Sequence, residues 1–180
     1  MNWRELNPDE MHPYFKTYVS QLPQGNLLDL LAGQPEIFKR QIDKLGEDGV
    51  NFRYAPDKWS VKEVLVHLLD AERVFLARAL RFARGDQADL PGFDQDEYAR
   101  EIEVDHLKIA ELWEEYLAQR KATVLFFKNL PEKVITRRGR ADGNIFSVRA
   151  IANIIAGHER HHINLIENRY LPAFLEHQVR

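Results

Sequence analysis

The chain of 180 residues contains no cysteine. Disulfides, Fe–S clusters, thiolate zinc sites and cysteine nucleophiles are therefore excluded. Any metal has to be held by His, Asp or Glu. Long apolar runs are missing too. The longest, such as Thr123-Val124-Leu125-Phe126-Phe127, falls far short of the roughly 20 residues that cross a bilayer. The first residues, MNWRELNPDE, are charged and lack the apolar core of a secretory signal, so the expected location is cytoplasmic. An excess of positive charge is also missing. The formal net charge is −3, and lysine and arginine are spread along the chain. One short cluster, Arg137-Arg138-Gly139-Arg140, reads as a solvated loop, and no basic footprint for nucleic acid is apparent. Neither nucleic acid nor a membrane is expected as a partner. Internal repeats and low-complexity segments are absent.

What is present is a balance of 44% hydrophobic and 29% charged residues. That balance suits one globular domain with a sizeable core. The domain is expected to span residues 1–180, with 1–24 as an N-terminal extension packing on the main body. In that extension MHPYFKTYVSQLP reads as a short helix ended by Pro23.

Four longer stretches carry apolar residues at helical spacing. The first runs from about Asn26 to Leu45 through Leu27, Leu31, Phe38 and Ile42, and Pro35 inside it predicts a kink or a slipped boundary. The second opens on Ser60 and Glu63, an S-x-x-E capping box, with Trp59 ahead of it as a staple; it runs to about Arg84, where Gly85 ends it. A loop turning at Pro91-Gly92 follows. The third is expected from near Gln95 to about Asn129, and the polar stretch from Glu132 to Phe146 reads as a loop. The fourth starts after Ser147 and is expected to stop before Pro172. Four amphipathic helices of comparable length predict an all-α, four-helix bundle. The connections on either side of the third helix leave room for a crossover, so strict alternation is not required.

Three of the seven histidines fall within five residues, in AGHERHHINLI. His158-Glu159-Arg160-His161-His162 fits the H-E-x-x-H pattern of zinc proteases. On a helical wheel, Ile151, Ile154, Ile155, Leu165 and Ile166 mark the apolar stripe. His158 and His162 fall near its middle, His161 at its edge. Side chains at i and i+4 stack along a helix, so His158 and His162 can aim two nitrogens at one metal. The alternative is a pair of hydrogen-bonded core histidines. In the second helix His67 sits on the flank of the buried face, beside Val64, Ala71 and Val74. With His158 and His162 it makes a three-nitrogen set from two helices, which leaves positions open for water or substrate.

Glu72 falls inside the apolar stripe of the second helix. A buried carboxylate needs a cation or donors, so it either pairs with an arginine of another helix or orients a ligating histidine. His12, His106 and His177 read as solvated, and Glu159 as an exposed or rim residue. The protease reading fails on its third ligand. Leu165 stands where metzincins have glycine, and Asn168 where they have the final histidine.

Three segments together carry a family resemblance: KWSVKEVLVHLLDAERVFLARALRFARGD, LPGFDQDEYAR and SVRAIANIIAGHERHHINLI. The combination of W-S-x-x-E-x-x-x-H, P-G-F-D-x-D-x-Y and G-H-x-x-x-H resembles the DinB/YfiT-like superfamily of metalloenzymes, over most of the chain. The resemblance implies a four-helix bundle in up-down-down-up order, usually a homodimer. It implies a divalent metal ion, zinc, nickel or iron, held by the residues matching His67, His158 and His162, with His161 outside the set. Characterised relatives resemble metal-dependent hydrolases or transferases of low-molecular-weight thiols. The expected function is thus that of a metal-dependent hydrolase or transferase acting on a small-molecule substrate, with a cellular thiol as one candidate. Arg120 or the Arg137–Arg140 loop is expected to supply charge for such a thiol. The alternative is a non-catalytic dimeric binding protein with a structural or vestigial metal site.

Overall fold

The computed structural model describes residues 2–179. In chain order the helices and strands are α1 (Lys16–Val19), α2 (Leu27–Gly49), α3 (Val61–Ala83), β1 (Asp89–Leu90), α4 (Gln95–Arg100), α5 (Ile109–Lys128), β2 (Arg138–Ala141), β3 (Asn144–Ser147), α6 (Val148–Leu165) and α7 (Leu171–Gln178). Three of the four long helices, α2, α3 and α6, open on a side-chain N-cap, whereas α5 has none. Asn26 accepts from the amides of Leu28 and Asp29 at the start of α2. Ser60 and Glu63 close the capping box of α3, with the Glu63 amide donating to Ser60 Oγ at 3.2 Å and the Ser60 amide to Glu63 Oε2 at 2.6 Å. Ser147 Oγ accepts from the Ala150 amide at 3.0 Å and starts α6.

The four long helices meet around two apolar clusters, one at each end. Leu27 and Leu31 of α2, Phe82 and Ala83 of α3, Phe127 of α5 and Ile151 and Ile154 of α6 share one cluster. Phe38 and Ile42, Val61 and Leu65, Ile109 and Leu112, and Ile163 share the other. The start of α2 and of α6 thus lies beside the end of α3 and of α5. The order is up-down-down-up. Neighbouring sides pair α3 with α6, α2 with α5, α2 with α6 and α3 with α5, which places α2 and α3 across a diagonal. Because α3 and α5 run parallel, their connection has to carry the chain back along the bundle.

That return explains why the third helix is not continuous from Gln95 to Asn129. It is broken into α4 and α5 by residues 101–108, where Val104 turns inward. One unbroken helix would be about 50 Å long against about 35 Å for its partners, and would overshoot the bundle. The fourth helix corrects the opposite way. It does not stop before Pro172. A π-helical turn over Ile166–Tyr170 leads into α7, which carries Pro172 in its first turn. The π-turn shifts the hydrogen-bond register just ahead of Pro172, with the Leu171 amide donating to the Ile166 carbonyl, at the point where proline cannot donate. The helix runs on through Pro35, and the residue with non-helical backbone inside α2 is Gly46, with φ 64.

The stretch expected as a polar loop folds into a hairpin. β2 and β3 pair antiparallel, Arg140 opposite Ile145, and β1 adds to β2 in parallel. Asp142 (φ 54) and Gly143 (φ 69) make the turn, as a two-residue hairpin with both central φ values positive requires. The hairpin lies on the end of α3: a Cβ at Gly139 would stand 1.9 Å from the Phe82 ring. The segment before α2 packs on α6. Trp3 is buried and its carbonyl accepts from Asn153 Nδ2 at 2.7 Å. Buried Glu10 takes Arg149 Nε at 2.7 Å and Ser147 Oγ at 2.6 Å. Among the described residues, no helix is long and apolar enough to cross a membrane.

Candidate metal centre

Antiparallel packing of α3 against α6 brings His67 opposite His158 and His162. Their Nε2 atoms converge. His67 lies 3.0 Å from His158, and His162 lies 3.2 Å from His158. All three are buried, with ligand atoms within 4.8 Å of one another. Two imidazole nitrogens bound to one ion at about 2.0–2.1 Å sit about 3.0 Å apart at a right angle and about 3.4 Å apart at the tetrahedral angle. Both short distances fall in that range. The donor set fits as well. A proton on one Nε2 can point at only one neighbour, so three converging nitrogens leave a lone pair facing a lone pair. A cation at the focus answers all of them.

Burial also sets the charge state. It pushes the His67 imidazole down to about 4. His158 and His162 are driven well below the usual range by burial, with the neighbouring imidazoles adding to the effect. All three are neutral at pH 7, the state a metal requires of histidine. Aromatic rings hold them. Trp59 lies 4.7 Å from the His67 ring and stacks at 6.5 Å on His162, and its carbonyl is anchored by Tyr170 Oη at 2.8 Å. Tyr18 of α1 packs edge-on to His158 at 5.2 Å. α1 comes this close because α6 has glycine at 157; a Cβ there would meet the Tyr18 carbonyl at 2.7 Å.

Behind the histidines lies a second polar cluster. Arg120 of α5 donates to Glu72 through Nη2 at 2.6 Å and Nε at 3.2 Å, to the Leu31 carbonyl at 3.2 Å, and to Glu159. Gln34 Nε2 donates to Glu159 at 2.5 Å. The ion-pair alternative for Glu72 is thus the one observed. Glu159 corrects the expectation of an exposed or rim position, being 1% exposed. Residues 146–159 are buried without a break, because α2, α3 and the N-terminal segment cover α6 on every side. A wheel assumes one solvent face, and this helix has none over that length. Burial first, and then the charge of Glu72, pushes the Glu159 carboxyl well above its ordinary range. A void of about 10 Å³ separates His158 from Glu72, Arg120 and Glu159, room for one water at most.

On the other side, His67 and His158 line a cavity of about 390 Å³. Its walls are aromatic, with Phe15, Phe75, Phe93 and Phe146, and Arg78 stands among them. His12 is exposed, as expected, and sits on the cavity lining with Nδ1 accepting from the Tyr14 amide at 3.2 Å. His106 and His177 are exposed. His161 is half-buried outside the trio, its Nδ1 3.2 Å from Gln21 Nε2.

The arginines expected to serve a thiol lie elsewhere. Arg120 is consumed by Glu72 and Glu159. Arg137 bonds the Ala83 carbonyl, Arg138 pairs with Asp9, and Arg140 bonds the Gly143 carbonyl. None of the four lines the cavity. Arg78, the cavity's own arginine, went unnoticed in the sequence although it lies eleven residues after His67, three turns along the same face. Tyr18 and Phe146 carry no comparable signal, because their place depends on how α1 and the hairpin dock.

Comparison with known proteins agrees with this architecture. No curated protein matches the sequence. Among solved structures, YfiT from Bacillus subtilis is similar at 14% identity, over 93% of this chain and 95% of that one, with a TM-score of 0.68. That protein is described as a probable metal-dependent hydrolase with an unusual four-helix bundle topology. At this identity the likeness establishes the fold. A sequence profile of the DinB superfamily matches residues 30–166, which includes all three histidines, and the chain belongs to that superfamily.

Proposed function

We propose that the chain is a metal-dependent hydrolase acting on a small molecule, with a divalent ion held by the Nε2 atoms of His67, His158 and His162. The observation that carries this reading is the convergence of three neutral imidazole nitrogens, two of whose rings line an open cavity. A structural site is normally closed by four protein ligands, whereas three ligands beside a cavity keep positions for reactants. The chemistry an ion supplies there is Lewis-acid activation of a water or of a substrate thiol. The chain's own residues prepare it. Burial keeps the imidazoles unprotonated. Trp59 and Tyr18 fix their rings and exclude bulk water from their far sides. Zinc, nickel and iron all accept imidazole, and each is compatible with this donor set. The homodimer implied by the family resemblance belongs to the same reading and is checked by sedimentation.

The test is metal content and chelator sensitivity. Wild-type protein is expected to carry about one equivalent of metal and to melt lower after chelation, while His158→Ala carries none and does not respond to chelator. Stabilisation of about 3–4 kcal/mol corresponds to a free ion at 100 to 1,000 times its Kd. Equal metal content in both proteins would sink the assignment. A chelator-sensitive protein inactive on a panel of esters, amides and thiol-dependent electrophiles would leave the site structural.

A further inference from the structure

Among the described residues three arginines are buried, and one of them has no carboxylate within ion-pair distance. Arg120 is held by Glu72 and Glu159, and Arg149 is clamped by Glu10. Arg78 is 8% exposed and makes no ion pair among the described residues. Its one hydrogen bond runs from Nη2 to the Pro91 carbonyl at 2.8 Å, and its guanidinium carbon lies 5.7 Å from the Phe75 ring centre. A guanidinium carries five N–H donors. Leaving such a cation out of water without an anion is costly. Asp142, exposed on the same cavity lining, is the one carboxylate whose charge reaches Arg78, but it forms no ion pair with it.

The cavity gives this cation a direction. Arg78 and His67 both line it, three helical turns apart on one face of α3, about 16 Å between their Cα atoms along the axis. Helical side chains lean toward the N-terminus, so Arg78 reaches back toward the histidines. Phe75, Phe93 and Phe146 line the same cavity. At about 390 Å³ the cavity is at the small end of ligand pockets. A ligand that fills it has an apolar body, an anionic end at Arg78 and its other end at the histidines. A carboxylate suits the site better than a phosphate dianion, because one buried cation balances one negative charge and Asp142 on the same wall repels a second.

We propose that Arg78 binds the carboxylate of the substrate, and that the substrate class is a small aryl or alkyl carboxylic acid carrying its reacting bond at the opposite end. The position of the reacting bond rests on the metal-centre reading; the carboxylate site does not.

The experiment compares 4-phenylbutanoate with its neutral amide, by calorimetry, on metal-loaded and on chelator-stripped protein. The acid is expected to bind both forms and to exceed the amide by about tenfold or more, as a charge-assisted pair predicts. Arg78→Gln is expected to erase that preference, and Arg78→Lys to keep part of it. Thermal melts identify any variant that has failed to fold, and the wild-type preference stands without the variants. Equal binding of acid and amide, binding of neither, or an acid preference that survives Arg78→Gln would overturn the proposal. So would an acid preference that disappears with the metal, since it would place the carboxylate on the ion. A protein that holds no metal but keeps the Arg78-dependent preference would reject the metal centre and leave the carboxylate site standing.

Discussion

Two buried polar clusters lie back to back where α3 meets α6, one of them reaching on to α2 and α5, and they are opposites. Glu72 and Glu159 belong with Arg120 and Gln34 to a cluster whose charges and donors largely answer one another. His67 and His158, their neighbours on α3 and α6, belong to a cluster of nitrogens that face one another and a cavity. A void of about 10 Å³ is the space between them. The first cluster is closed and holds helices together. The second is open, and on the reading proposed above a cation completes it.

The largest expected effect breaks the closed cluster. Arg120→Met removes the guanidinium and leaves two buried carboxylates facing each other, a loss of about 3–5 kcal/mol in chemical denaturation. The comparable change in the open cluster, His158→Ala, is expected to act mainly through metal content. If Arg120→Met unfolds no more easily than wild type, the closed cluster is not structural.

Next in size is Gly157→Ala. The added methyl meets the Tyr18 backbone at 2.7 Å, and overpacking of this kind costs about 1–3 kcal/mol. Limited proteolysis is expected to cut the displaced N-terminal segment faster, with Tyr18 no longer covering His158.

Titration separates the clusters by sign. In metal-free protein the depressed His67 imidazole contributes stability that is fully present above the unfolded value of 6.5 and is lost as the pH falls from there toward its folded value of about 4. His158 and His162 act in the same direction. The raised Glu159 carboxyl acts oppositely: its contribution is full below the unfolded value of 4.5 and is lost as the pH rises through the folded one. Denaturation of wild type and His67→Gln across this range is expected to differ most on the acid side of pH 6.5.

The smallest effect sharpens the boundary of the open cluster. His161→Ala is expected to change stability by no more than about 0.5 kcal/mol and to leave the metal content intact, because its ring faces Gln21 and Tyr18. Metal loss in this variant would extend the site to four histidines.

The bundle and the meeting of the three histidines are legible in the sequence for one reason: apolar stripes of period 3.6 report which face of a helix is buried, and His67, His158 and His162 lie on or beside those stripes. The same reasoning fails where a helix has no exposed face, as at Glu159. It also misses features set by tertiary demand. The break at 101–108 answers the length of the bundle, and no residue there signals it strongly. The hairpin was readable from Asp142-Gly143, but its strands are only four residues each and one of them reads Arg-Gly-Arg-Ala. Arg78 was on the His67 face all along. Its meaning depends on which other arginines find carboxylates, and only the packed structure supplies that.

The most direct test is X-ray absorption at the metal edge of the purified protein. The account predicts about three imidazole nitrogens at about 2.0–2.1 Å with further light-atom ligands completing the shell, and loss of the imidazole signal in His158→Ala. A purified protein without metal, or a metal whose shell contains no imidazole, would contradict it.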